Sequence, residues 1–248
     1  MKRKVCIIAL MLVTAVMAYS QTAAELLQKI DNNEVYTTIE YEGEMIIEHG
    51  GRRYVKVMKA WAKGNSDSFI EFLNPEDKGT KYLKKSGRLY VCSPDNEGVM
   101  LISGHMLRES MMGSDMSYED TIDNDTLLSR YNAVISGTEM INVNGASRAA
   151  WVLDLTAKKK TESYPRRKLW IDKETFDLLH YELYALSGAK LKEFNLLKVE
   201  IIAGRRFPVE VEIRDLLRKD SKTTFKMKNA VLDKPIPDSV FSMRNLEK

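Results

Sequence analysis

The stretch 206–216 alternates with a period of two, setting Phe207, Val209, Val211 and Ile213 against Glu210, Glu212 and Arg214. Such a segment is a strand with one dry and one wet face. Runs of the same kind recur at 36–48, 53–62, 68–73, 79–84, 88–92, 131–136, 139–143, 147–155, 167–171, 178–186, 192–203 and 222–227. Turn signals of a few residues separate many of them: Gly50-Gly51, Asn65-Ser66-Asp67, Lys85-Ser86-Gly87, Asn144-Gly145, Ser187-Gly188 and Gly204. Connections this short leave no room for crossovers, so neighbours pair antiparallel. About a dozen strands in one sheet would leave two exposed edges unless the sheet curves or closes. The expected architecture is a sheet curled round a helix pair, with a two-sheet sandwich as the alternative.

Two helical pieces interrupt this pattern. Residues 22–31 place Thr22 and Glu25 as a capping box ahead of Leu26, Leu27 and Ile30. The second, helical over 103–129, falls largely within the stretch 100–121, which holds Met100, Met106, Met111, Met112 and Met116. Methionine is flexible and polarizable and suits an apolar surface that must fit more than one shape. Met106, Leu107, Ser110 and Met111 fall at helical spacing, and Ser117 ahead of Glu119-Asp120 marks a second helix start. The segment reads either as a plug in the core or as a lid over a lipid-sized cavity. The apolar lining is assigned to Met106, Leu107, Met111, Met112 and Met116, with Val55 and Val57 from one strand and Val209 and Val211 from another. Val55, Val57 and Trp61 share a face with Lys59.

Residues 1–20 read as a secretory signal: Lys2, Arg3 and Lys4, an apolar run over 5–17, and Ala18-Tyr19-Ser20 before a cut at Gln21. That leaves 21–248 as one exported domain. The signal takes three of the 38 bases and none of the 35 acids, so the remainder holds 35 of each and no basic excess for nucleic acid. Cys6 leaves with the signal, and Cys92 alone forms no internal disulfide; a buried, inert thiol is expected. His49, His105 and His180 are scattered, and no Gly-x-Ser-x-Gly or metal-binding spacing is present. No metal, cofactor or catalytic residue is assigned, and the chain is not expected to be an enzyme. Asp115, Glu119, Asp120, Asp123 and Asp125 lack the spacing of a calcium loop and are read as a solvated helix face. Trp61, Trp151 and Trp170 sit in strand patterns, where core packing is expected.

The ordered set Trp61-Ala-Lys-Gly64, Phe72-Leu-Asn-Pro75, Gly79-Thr-Lys-Tyr-Leu83, Ser110-Met-Met-Gly-Ser-Asp115 and Tyr118-Glu-Asp120 resembles the outer-membrane lipoprotein-sorting proteins of the LolA-like superfamily. Tyr164-Pro-Arg-Arg-Lys-Leu-Trp-Ile-Asp172 and Gly204-Arg-Arg-Phe-Pro208 agree with it. The resemblance implies a mainly β fold, an incomplete antiparallel β-barrel with helices against an apolar concave face. It implies a periplasmic carrier or chaperone for an acylated lipoprotein or another lipid, with only transient membrane contact. It also implies an inner-membrane transporter, of the RND type, and an outer-membrane acceptor as partners. A non-enzymatic adaptor module of an export system, without bound lipid, is the alternative. That family's lid-gating arginine has no matching position in this chain.

Overall fold

A computed structural model describes residues 21–33, 35–95, 98–122 and 126–248. The signal segment 1–20, Asp123 and Asp125 lie outside the described residues. Helix α1 (Ala23–Asn33) opens the fold with the expected capping box: Thr22 N donates to Glu25 Oε2 at 2.8 Å, and Glu25 N to Thr22 Oγ1 at 3.2 Å. Six strands follow in a meander: β1 (Thr38–His49), β2 (Arg52–Lys63), β3 (Asp67–Phe72), β4 (Lys81–Lys85), β5 (Arg88–Cys92) and β6 (Val99–Ile102). After an irregular strap come β7 (Tyr131–Val143), β8 (Ala146–Ala157), β9 (Arg166–Asp172), β10 (Leu178–Tyr184), β11 (Lys190–Ile202), β12 (Arg205–Asp215) and β13 (Ser221–Leu232).

All thirteen strands form one sheet, in the order β6-β5-β4-β3-β2-β1-β13-β12-β11-β10-β9-β8-β7. Every neighbouring pair is antiparallel, and the pairing of Ile39–His49 with Ser221–Leu232 joins the two meanders at the centre. The sheet is an unclosed barrel, not a sandwich, with β6 and β7 as its edges. Between those edges the chain returns as the strap: single 3₁₀ turns at Gly104–Arg108 and Met111–Gly113, then short helices α2 (Tyr118–Ile122) and α3 (Leu127–Arg130).

Three details differ from the sequence expectations. Val99–Ile102, for which no strand is expected from the sequence, is an edge strand paired with β5. The runs 131–136 and 139–143 are one strand, bulged where Gly137 follows Ile135 in the register with β8. The helical stripe expected from Ser103 to a break at Gly113 is instead two single 3₁₀ turns, with Met112 (φ 53°) and Gly113 (φ 78°) in left-handed backbone at the second.

One face of the β1–β6 half carries Met45, Ile47, Met58, Phe72, Tyr82, Leu89, Val91 and Ile102, and Met111 of the strap packs into this cluster. Gly43 makes it possible: a Cβ there would stand 2.8 Å from Met58 Cγ, so only glycine lets Met58 lie across β1. In the other half, α1 buries Leu26, Leu27 and Ile30 against Tyr131, Leu153, Leu155, Leu169 and Ile171. Each such side chain contributes about 1.5–3 kcal/mol on burial. The convex face of β3 and β4 is covered by the chain's last residues: Phe241 of a 3₁₀ turn and Leu246 of α4 (Met243–Leu246) pack on Phe69 and Leu83. No helix among the described residues is long and apolar enough to cross a membrane.

Candidate ligand cavity

The concave face encloses a cavity of about 840 Å³. Met45 and Met58 line it from β1 and β2, Phe225 and Met227 from β13, Phe207, Val211 and Ile213 from β12, and Phe194 and Leu196 from β11. Ile30 of α1 and Met111 and Met116 of the strap complete the apolar wall. A smaller cavity, about 590 Å³, lies on the other side of the same strap turn, where Met106 and Met112 face Tyr82, Val91 and Ile102. Consecutive methionines therefore line different spaces, with the left-handed Met112 residue between them.

The strap is fixed by polar contacts. An antiparallel bridge between Ser110 and Ser117 closes the loop 110–117 at its base, and Met111 N donates to Met116 O at 2.8 Å. At the loop tip Asp115, 1% exposed, accepts from Asp215 N at 3.1 Å and from Thr223 Oγ1 at 2.7 Å. Asp120 pairs with the buried Lys192 ammonium at 2.6 Å and accepts from Tyr164 OH at 2.8 Å and Ser117 N at 2.8 Å. Arg218 donates to the carbonyls of Ser114 and Gly113 at 2.5 and 3.1 Å. On the opposite side the contacts are mostly apolar; Tyr82 OH lies 3.2 Å from Met112 Sδ and 3.3 Å from Tyr118 OH, and Lys84 Nζ donates to the Thr121 carbonyl at 3.4 Å. Burial raises the Tyr82 and Tyr164 hydroxyl pKa values, and the neighbouring Tyr118 and Asp120, respectively, reinforce the effect.

The cavity is not wholly apolar. Asp31, Asp67, Lys84, Arg167, Asn195 and the Asp177–Arg206 pair reach its wall. That pair is bidentate, with both N–H···O distances 2.7 Å. Lys84 is 6% exposed, and burial pushes its ammonium pKa down to about 8. Burial raises the Asp31 carboxyl pKa.

Of the residues assigned to the lining, Met111, Met116 and Val211 meet at the large cavity. Met106 and Met112 reach the smaller one, and Leu107 packs half-buried on the β1–β6 cluster. Val209 is buried beside Ile39, Phe207 and Leu232 and does not reach the cavity wall. Val55 and Val57 belong to the other face of β2. Met58 and Ala60 point inward there, and Val57 is 37% exposed. Strand β2 is apolar at both parities, so its alternation does not mark the inner face; the gap above Gly43 does. Asp115 and Asp120 form buried anchors rather than a solvated helix face. Their partners are remote in sequence, and no local spacing reports them.

A single open antiparallel sheet wrapped around an apolar cavity and strapped from edge to edge defines a class of half-barrel proteins. A family model described as "Uncharacterized protein" matches residues 64–248. No curated protein matches the chain. Among solved structures, a DUF1329 family protein from Desulfovibrio piger is 26% identical with a TM-score of 0.79, covering 90% of this chain and 96% of its own. A LolA superfamily protein from Nitrosomonas europaea (19% identical, TM-score 0.73) covers 90% of this chain and 98% of its own. A Vibrio parahaemolyticus domain named as an outer membrane lipoprotein-sorting protein (18%, TM-score 0.78) covers 90% and 97%. The chain belongs to the family whose model spans residues 64–248, and its fold is LolA-like.

Proposed function

We propose that this protein is a periplasmic carrier that shields the acyl chains of a lipoprotein, or of another lipid, in the cavity beneath the strap. The carrying observation is the apolar cavity of about 840 Å³, within the roughly 300–1,000 Å³ typical of ligand sites. Transfer of a methylene from water into such a space is worth about 0.8 kcal/mol, so long chains cross an aqueous compartment only when escorted. No residue is assigned a catalytic role. Delivery toward the outer membrane, with an inner-membrane RND-type transporter as donor, follows from the resemblance to lipoprotein-sorting proteins.

The test is a fluorescent fatty-acid probe together with mass spectrometry of gently purified protein. Ala62 lies on the cavity wall and is only half-buried. Ala62→Phe is expected to weaken probe binding about tenfold, equivalent to about 1.4 kcal/mol, with little change in melting temperature. Wild-type protein that carries no lipid and binds no probe would refute the carrier reading. That outcome would favour an adaptor module without bound lipid, a reading supported by the buried polar anchoring of the strap at Asp115 and Asp120.

A further inference from the structure

Three consecutive hairpin turns project from the strap end of the sheet: 158–165 between β8 and β9, 185–189 between β10 and β11, and 216–220 between β12 and β13. Neighbouring tips are two strands apart, about 10 Å. Two of them hold leucines out into solvent. Leu186 is 85% exposed, Leu217 75% and Leu216 41%. Neither tip is slack: Ala185 N donates to Ala189 O at 2.9 Å, Leu216 N to Leu191 O at 2.8 Å, and Leu217 N to Asp215 Oδ1 at 3.0 Å. Large aliphatic side chains held out together on neighbouring turns are the kind of exposed apolar surface that marks an interaction site.

The charges around these leucines indicate what covers them. The three turns contain Lys158, Lys159, Lys160, Arg218 and Lys219 against Glu162 and Asp220. Glu162 is already paired with Arg130. At the same end, the turns of the β1–β6 half carry Glu76 and Asp95 against Lys78, while Asp77 is paired with Lys56. The rim is thus divided into a basic sector bearing Leu186, Leu216 and Leu217 and a weakly acidic sector beyond it, where Leu73 is 47% exposed. Aliphatic tips flanked by bases match an anionic lipid surface, where leucine enters the headgroup boundary and the bases face phosphates.

We infer that the turns carrying Leu186 and Leu216–Leu217 dock the strap end of the molecule on an anionic bilayer. This rests on the carrier reading only in placing a membrane within reach; the surface is independent of what the cavity holds. Arg218 gives the docking a consequence. It lies next to Leu217 and holds the strap carbonyls of Gly113 and Ser114. A phosphate that draws this guanidinium away removes one of the strap's fastenings at Gly113 and Ser114.

The test is flotation of the full exported chain with phosphatidylglycerol–phosphatidylethanolamine vesicles and with phosphatidylcholine vesicles. Wild type is expected to float with the anionic vesicles and to be released by salt. The double variant Leu186→Glu, Leu217→Glu should lose at least tenfold in partitioning, and Lys219→Glu about fivefold or more. Both should keep the wild-type melting temperature, since the altered side chains are exposed. Wild type that does not float, or leucine variants that float as well as wild type, would overturn the inference. Binding to native membrane vesicles but not to protein-free lipid would overturn it in favour of a protein acceptor. The fatty-acid probe is measured on the same variants: normal probe binding without flotation removes the docking surface alone, and flotation without probe binding removes the carrier alone.

Discussion

Lys84 is the residue whose placement is hardest to reconcile with an apolar container. Its Nζ reaches the Thr121 carbonyl at 3.4 Å, and it is buried on the concave wall with its pKa lowered to about 8. Between about 8 and the ordinary value of 10.5 the unfolded chain binds a proton that the folded chain has released. Stability should therefore rise as pH rises through that window, opposite to the usual loss of a lysine ion pair. Thermal unfolding of wild type against Lys84→Met from pH 7.5 to 10.5 tests this. The wild-type melting temperature should gain roughly 2–4 °C for each kcal/mol recovered, relative to a variant lacking that titration. At this scale the sequence was legible where partners are local. The Thr22–Glu25 capping box and the Ser117 helix start both stand, the latter with Ser117 N bonded to Asp120 Oδ2. It was illegible where the partner is distant: Asp115 meets Thr223, and Asp120 meets Lys192, 108 and 72 positions away.

The strap holds the two halves of the sheet by different chemistry. Toward β11–β13 it is fastened by buried ion pairing and several hydrogen bonds; toward β1–β6 it rests mainly on methionine and aromatic contacts, with the Lys84–Thr121 hydrogen bond beside them. Removing one partner of a buried ion pair strands the other, so Asp120→Asn should cost about 3–5 kcal/mol in urea unfolding. Adding Lys192→Met to it should recover much of that loss, because an apolar replacement removes the stranded charge. Full additivity of the two losses would mean that the pair is not a unit. A strap fastened on one side opens most readily on the other, where the Met111–Met112 turn is the partition between the two cavities. Four of the five methionines, Met106, Met111, Met112 and Met116, lie in the sheet's interruption, and Met100 belongs to β6. The backbone breaks at Met112 and Gly113 that separate their roles carry no periodic signal.

At the scale of the whole molecule, the thirteen antiparallel strands were visible almost one by one, because turn chemistry and alternation are local. Their order in space was not. Nothing near residues 38–49 reveals that their partner is 221–232, and that pairing decides between one sheet and two. Without it, each meander would keep its hairpins but share no centre, and β1 and β13 would be new edges. A chain ending after Asp220 should therefore lose its single cooperative transition by circular dichroism, while retaining β signal.

The same pairing has a consequence in time. The central seam of the sheet joins its first strand to its last, so the middle of the molecule is its final piece to arrive. Contacts this distant form slowly. While the chain is being made, β1 must wait with an open edge until β13 emerges. A strand that waits in this way is exposed to wrong partners, including the same strand of a neighbouring chain. Carrier function aside, the fold makes this protein one whose maturation depends on safe passage of the whole polypeptide before any part of its centre can close.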